Sequence, residues 1–236
     1  MSDYLDMLAC FGVSGAHPGG IALTKAVLAK ADIEPEAPIL DAGCGTGQTA
    51  TYLRHLLFPV TALDSDEVMI DKAKKRFARE KLTIPIVHSQ IEKTPFQSES
   101  FGCVLSESVL SFTDLHLSLP EIRRILKPDG KLVGIEVSLA EASLTAEEKK
   151  EIIDFYGFTV LDDQDGWLHT LRKGGFSQIE IIGAVIEEAA DHEETFTEME
   201  LSPFISEKNY QTMETHQQLH HKYQDFLKPI IFVCQP

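Results

Sequence analysis

The stretch Pro38-Ile39-Leu40-Asp41-Ala42-Gly43-Cys44-Gly45-Thr46-Gly47 sets the frame for the whole chain. An apolar run ends in an acid and three alternating glycines, and a segment carrying Tyr52, Leu53, Leu56 and Leu57 at helical spacing follows. This predicts a strand, a glycine loop and a helix, in which backbone approaches a ligand closely because glycine has no side chain to obstruct it. A glycine turn that only packs strand on helix has the same pattern, so a second signal is needed. Asp64 supplies it. It closes the next apolar run 21 residues after Gly43, where a carboxylate accepts hydrogen bonds from both hydroxyls of an unphosphorylated ribose. A dinucleotide fingerprint starting at Gly43 needs glycine where Gln48 stands, and no Gly-Lys pair follows the loop. Phosphate chemistry therefore has little support.

Outward from the loop, runs rich in Ile, Val and Leu at 38–42, 59–63, 84–88, 102–106, 131–137, 178–186 and 229–234 alternate with stretches of helical period. That alternation predicts an α/β fold with a mostly parallel sheet. Asp66 is placed to cap a helix carrying Ile70, Ala73 and Phe77, Thr145 and Glu148 have capping-box spacing, and Lys127-Pro128-Asp129-Gly130 predicts a tight turn. Residues 3–11 and 20–31 are expected as helices packing across the carboxyl edge of the sheet. With 236 residues, 43% of them hydrophobic, the chain can bury one substantial core, so a single domain over 1–236 is expected.

Acidic residues outnumber Lys and Arg by 37 to 21, a formal charge of −16, which repels phosphate backbones and argues against nucleic acid or an anionic membrane as partner. No apolar stretch approaches the roughly 20 residues that span a bilayer. Cys10, Cys44, Cys103 and Cys234 are scattered without a C-x-x-C pair, and the first residues show no basic stretch followed by an apolar run. Free thiols in the cytoplasm are the expectation.

The string from Ile39 to Gly47 closely resembles the first motif of class I S-adenosylmethionine-dependent methyltransferases, in which a strand-end acid precedes G-C-G-T-G. The resemblance extends over 38–137. Leu63-Asp64-Ser65 followed by Met69 is similar to the ribose and adenine segment of that family, and Gln90-Ile91-Glu92 ahead of Pro95-Phe96 to its adenine-edge segment, with Gln90 where an aspartate is usual. The segment from Ser100 to Ser106 resembles the fourth strand, and Ile122 to Leu132 the helix, turn and fifth strand. The resemblance, nearest to the broad group that includes quinone-biosynthesis enzymes, implies a Rossmann-like, doubly wound sheet of seven strands with the last antiparallel. It implies methyl transfer from S-adenosyl-L-methionine to a small-molecule acceptor. The cofactor would lie against Asp41, Gly43, Cys44, Gly45, Gly47, Asp64, Ser65, Met69, Gln90, Ile91 and Ser106. A sensor that retains the cofactor without catalysis is the alternative, and a nicotinamide-dependent oxidoreductase a more distant one.

Outside that core, 1–37 is expected as a helical cap and 187–227 as a helical insertion, or lid, before the last strand. His17-Pro18-Gly19-Gly20 opens a helix, and the bare N–H groups of such a start can hold the methionine carboxylate beside His17, although a plain helix start is the simpler reading. Residues 187–200 hold seven acids and no Lys or Arg, a composition expected of a solvated segment. The helix predicted over 207–227 places His216 and His220 on a face with Tyr210, Met213, Tyr223 and Leu227, over the acceptor pocket. Their i, i+4 spacing suits a metal but no third ligand stands near, so no metal is expected. Methyl transfer needs alignment and exclusion of water more than a metal, and an alcohol or protonated amine also needs a base. Glu107 is the first candidate base, followed by Glu136, His116 and the lid histidines, with His220 foremost among these.

Overall fold

The computed structural model describes residues 2–140, 144–183 and 198–236. Five parallel strands, β1 (Ile39–Ala42), β2 (Val60–Asp64), β3 (Ile86–His88), β4 (Phe101–Glu107) and β5 (Leu126–Leu139), are joined by β6 (Gln178–Ile181) and β7 (Leu227–Gln235) in the order β3-β2-β1-β4-β5-β7-β6. β7 runs antiparallel to both neighbours. β1 is buried along its whole length, as a central strand covered by helices on both faces must be.

Helices α2 (Gly20–Lys30), α3 (Gln48–His55) and α4 (Glu67–Arg79) cover one face of the sheet, where Val27, Leu53 and Phe77 pack on Ile39, Cys103 and Val133. Helices α5 (Leu115–Ile125) and α7 (Gln164–Lys173) cover the other, where Ile122 and Trp167 meet Val104, Leu132 and Phe232. A third cluster closes over the carboxyl ends of the strands. It joins α1 (Asp3–Phe11), α6 (Ala146–Tyr156) and α8 (Glu207–Tyr223) through Met7, Leu8, Ile152, Tyr156, Leu219 and Tyr223, with Val137 and Leu139 of β5 beneath. The expected caps are in place: Asp66 accepts from the Met69 N–H at 2.9 Å, and Thr145 with Glu148 forms the capping box. Among the described residues, no helix is long and apolar enough to cross a membrane.

Tertiary packing departs from the linear pattern at several points. Of the two N-terminal helices, α1 sits over the carboxyl edge, whereas α2 lies on a sheet face because Leu23 and Val27 find their apolar surface there. Leu56 and Leu57 fall outside α3 and are 48% and 78% exposed, the chain turning at Leu57 with φ 71°. Residues 127–130 form a bulge within β5 rather than a turn before it: Phe101 pairs with Leu126 and Cys103 with Lys131. α8 stops at Tyr223, and Tyr210 is exposed while Thr212 and Leu219 are buried.

The acidic insertion lies mostly outside the described residues, as do 184–186 at the end of the expected sixth strand. Its last acids are anchored. Glu198 pairs with Arg76 at 2.8 Å, and its carbonyl accepts from the Ser14 N–H at 3.0 Å, while the Glu200 N–H donates to the Gly12 carbonyl at 3.0 Å. Residues 198–200 are thus tied to the body of the domain, with Met199 still exposed and Glu198 partly so.

Candidate active site

The glycine loop hangs from β2, with the Gly43 and Cys44 N–H groups both donating to the Leu63 carbonyl at 2.8 and 2.9 Å. Gly43 has φ 74°, and a Cβ there would stand 2.3 Å from Val109 Cγ2. Gly45 has φ 52° and a different surrounding: a Cβ there would meet nothing within 4 Å, so the loop presents bare backbone to open space. Beside it, Asp64 accepts from the Gly45 N–H at 2.8 Å and from the Asp66 N–H at 2.9 Å. Burial pushes its carboxyl above the usual range against the pull of those donors. Asp41, at the end of β1, is 2% exposed, and its Oδ2 has no hydrogen-bond partner among the described residues. Burial raises Asp41 well above an ordinary carboxylate, and the charge of Glu107 raises it further.

These groups form one end of a cleft of about 1780 Å³. Ser65, Met69, Gln90 and Ile91 line it next to Asp64, and His17, Gly19 and Gly20 line it from the start of α2. Glu107, at the end of β4, is held on both oxygens: Thr24 donates to Oε1 at 2.5 Å and Thr49 to Oε2 at 2.7 Å. His17 Nε2 lies 3.2 Å from Thr24 Oγ1 and 3.5 Å from Glu107 Oε1. Asp41, Asp64 and Glu107 thus gather three carboxyl groups around the loop, a setting that favours a cationic ligand.

The far end of the cleft is aromatic. Tyr4, Phe112, Tyr156 and Phe158 line it, together with His216 and His220 from α8. Tyr4 meets Tyr156 edge-on at 4.8 Å, and Tyr156 stacks on Phe158 at 5.1 Å. The Tyr156 hydroxyl lies 3.1 Å from His216 Nδ1.

A methyltransferase domain model matches residues 40–134, the span from the glycine loop to β5. The chain is 54% identical over 234 residues to the uncharacterised methyltransferase YodH of Bacillus subtilis, covering 99% of both proteins. The chain belongs to the class I S-adenosylmethionine-dependent methyltransferases. The methyltransferase is also 30% identical over 118 residues to a demethylmenaquinone methyltransferase of Staphylococcus aureus, covering 48% of each chain. In fold it resembles phosphoethanolamine N-methyltransferase 2 of Haemonchus contortus, solved with S-adenosyl-L-methionine, at a TM-score of 0.71 and 21% identity. The chain is covered to 99% and spans 56% of that protein.

Several residues expected at the methyltransferase site stand elsewhere. Gly47 turns from the cleft into α4, where a Cβ would meet Phe77 at 2.6 Å. Glu136 is fully buried and bound by donors: the N–H groups of Val109, Leu110 and Ser111 and the hydroxyls of Ser106 and Ser111. Both Glu136 and Ser106 are off the cleft, because Glu136 holds the turn after β4 and Ser106 serves Glu136. His116 is exposed on the first turn of α5 and does not reach the cleft. Other site residues escaped the sequence reading, Thr24 and Thr49 because single hydroxyls carry no periodic signal. Tyr156 and Phe158 stand in the aromatic cluster Phe155-Tyr156-Gly157-Phe158, the one signal that marks that end of the cleft.

Burial of Asp41 has a consequence for binding. Burial shifts the Asp41 carboxyl toward its protonated form and a cation beside Oδ2 would shift it back, so binding of S-adenosylmethionine is expected to release protons and to strengthen as pH rises. Calorimetry in buffers of different ionisation heat should show this release in the parent and not in Asp41→Asn.

Proposed function

We propose that the methyltransferase transfers a methyl group from S-adenosylmethionine, bound at the glycine-loop end of the cleft, to a small molecule bound at the aromatic end. The single observation that carries this reading is the continuity of the cleft. Its volume of about 1780 Å³ exceeds the ~300–1,000 Å³ of pockets for one small ligand, leaving space for two molecules side by side. The open space at Gly45 and the unpartnered Asp41 Oδ2 fit the cofactor.

In this reading Asp64 receives the ribose hydroxyls, Met69 and Ile91 flank the adenine, and Gln90 meets its edge. Asp41 and Glu107 face the amino group, while His17 and the N–H groups opening α2 at Gly19 and Gly20 face the carboxylate. The bound cofactor supplies an activated methyl on a sulfonium, which departs as a neutral thioether. The protein aligns the acceptor and excludes water. Glu107, with both oxygens engaged by threonine hydroxyls, serves as a fixed negative charge rather than as a base. The domain works as one unit, with α1, α6 and α8 as a cap over the acceptor and His220 at its wall.

Incubating the protein with S-adenosylmethionine and a panel of phenols, amines and carboxylic acids tests this. Formation of S-adenosylhomocysteine that depends on one of these acceptors, with the matching methylated product in the mass spectrum, is the expected result. Methylation confined to protein or nucleic acid would remove the small-molecule reading.

A further inference from the structure

Resting on the assignment of the aromatic end to the acceptor, we propose that Tyr156, paired with His216, is a catalytic residue and that the acceptor is an aromatic ring bearing a hydroxyl. Tyr156 ends α6 with its ring held in place: edge-on to Tyr4 at 4.8 Å, stacked on Phe158 at 5.1 Å, and 5% exposed. The Ser2 hydroxyl donates to its backbone carbonyl at 3.0 Å and fixes the end of the helix. Phenylalanine would fill this slot equally well. The hydroxyl instead meets an imidazole on another helix, 60 residues away, at 3.1 Å, and both residues line the cleft. A phenol bonded to an imidazole forms a path along which a proton moves.

The two carboxyl groups expected as bases are committed elsewhere. Thr24 and Thr49 occupy both oxygens of Glu107, and Glu136 lies off the cleft among its five donors. The walls narrow the acceptor further. At the aromatic end, Tyr4, Phe112 and Phe158 offer faces and edges to a flat ring.

The step balances without an added reagent. The acceptor hydroxyl gives its proton to the Tyr156 oxygen while the Tyr156 proton passes to His216 Nδ1. The acceptor oxygen gives its lone pair to the methyl carbon, and the electrons of the broken carbon–sulfur bond remain on sulfur. His216 returns the Tyr156 proton, and the proton taken from the acceptor leaves to solvent.

Titration of 4-nitrophenol into protein saturated with S-adenosylhomocysteine tests the pair without turnover, because the absorption spectrum separates phenol from phenolate. The parent protein should bind the probe with its ionisation shifted toward phenolate, and about tenfold more tightly than nitrobenzene. Tyr156→Phe should bind the same probe as the phenol, with unchanged affinity for S-adenosylhomocysteine, and lose about 100-fold in turnover of a phenolic acceptor. His216→Gln should show the same spectral change, and it tests the pair independently should Tyr156→Phe fail to fold. An unshifted spectrum in the parent or an unchanged spectrum in the variants would overturn the proposal. Failure of the parent to bind S-adenosylhomocysteine overturns the cofactor reading and this proposal together, whereas binding without phenolate overturns this proposal alone.

Discussion

Gly45→Ala is expected to leave the methyltransferase folded while weakening its affinity for S-adenosylmethionine by about 100-fold. The separation of the two effects comes from where the new methyl would point. In the protein it meets nothing within 4 Å, so the cost to the fold is only the left-handed backbone, about 1 kcal/mol. With the cofactor bound as proposed, the methyl would stand where the ligand approaches the loop. Gly43→Ala is the contrast: its Cβ would lie 2.3 Å from Val109 Cγ2, so that variant should lose stability and binding together. Thermal midpoints and calorimetric affinities of the two variants check this. Equal affinity in Gly45→Ala and the parent would mean that the ligand does not lie against the loop.

Glu136→Ala should be among the most destabilising single changes in the chain, costing about 3–5 kcal/mol and lowering the thermal midpoint by roughly 10 °C. The carboxyl receives three backbone N–H groups and two hydroxyls, at 2.7 to 3.3 Å, and these donors lose their partner at full burial. The same group leaves a pH signature. Burial pushes Glu136 up to about 7, from 4.5 for an ordinary glutamate. Between those values the folded protein holds a proton that the unfolded chain has released. Its contribution is therefore fully present below pH 4.5, declines as pH rises, and is gone above about 7. Denaturant titrations across that interval should show this slope in the parent and not in Glu136→Ala. A variant as stable as the parent would contradict the role of Glu136 as the anchor of the turn after β4.

The parts of the site legible in the sequence are those whose physics is local. Glycines in a strand-to-helix turn and an acid closing the next strand carry their conformational demands within a few residues, which is why the loop and Asp64 stand where expected. Glu136 was open to misreading because its position at the end of a strand is local, whereas the partners that define its role lie 25 to 30 residues earlier. The aromatic end of the cleft is less legible still. Its wall unites Tyr4, Tyr156 and His216, which share no motif and meet only because α1, α6 and α8 bury their apolar faces together. The helical period over 207–227 correctly marked a helix, yet period alone did not show that Tyr210 stays exposed while Leu219 enters the cluster. Pinning of Glu198 by Arg76 was hidden in the same way, since an acid-rich segment gives no sign of a buried arginine waiting 122 residues earlier.

Direct titration of S-adenosylmethionine and of NAD into the purified protein tests the central claim most directly. One molecule of S-adenosylmethionine should bind per chain, with its affinity strongly reduced by Asp64→Ala, and NAD should give no binding heat. Binding of NAD in place of S-adenosylmethionine, or S-adenosylmethionine binding indifferent to Asp64, would contradict the assignment of the glycine loop as the cofactor site.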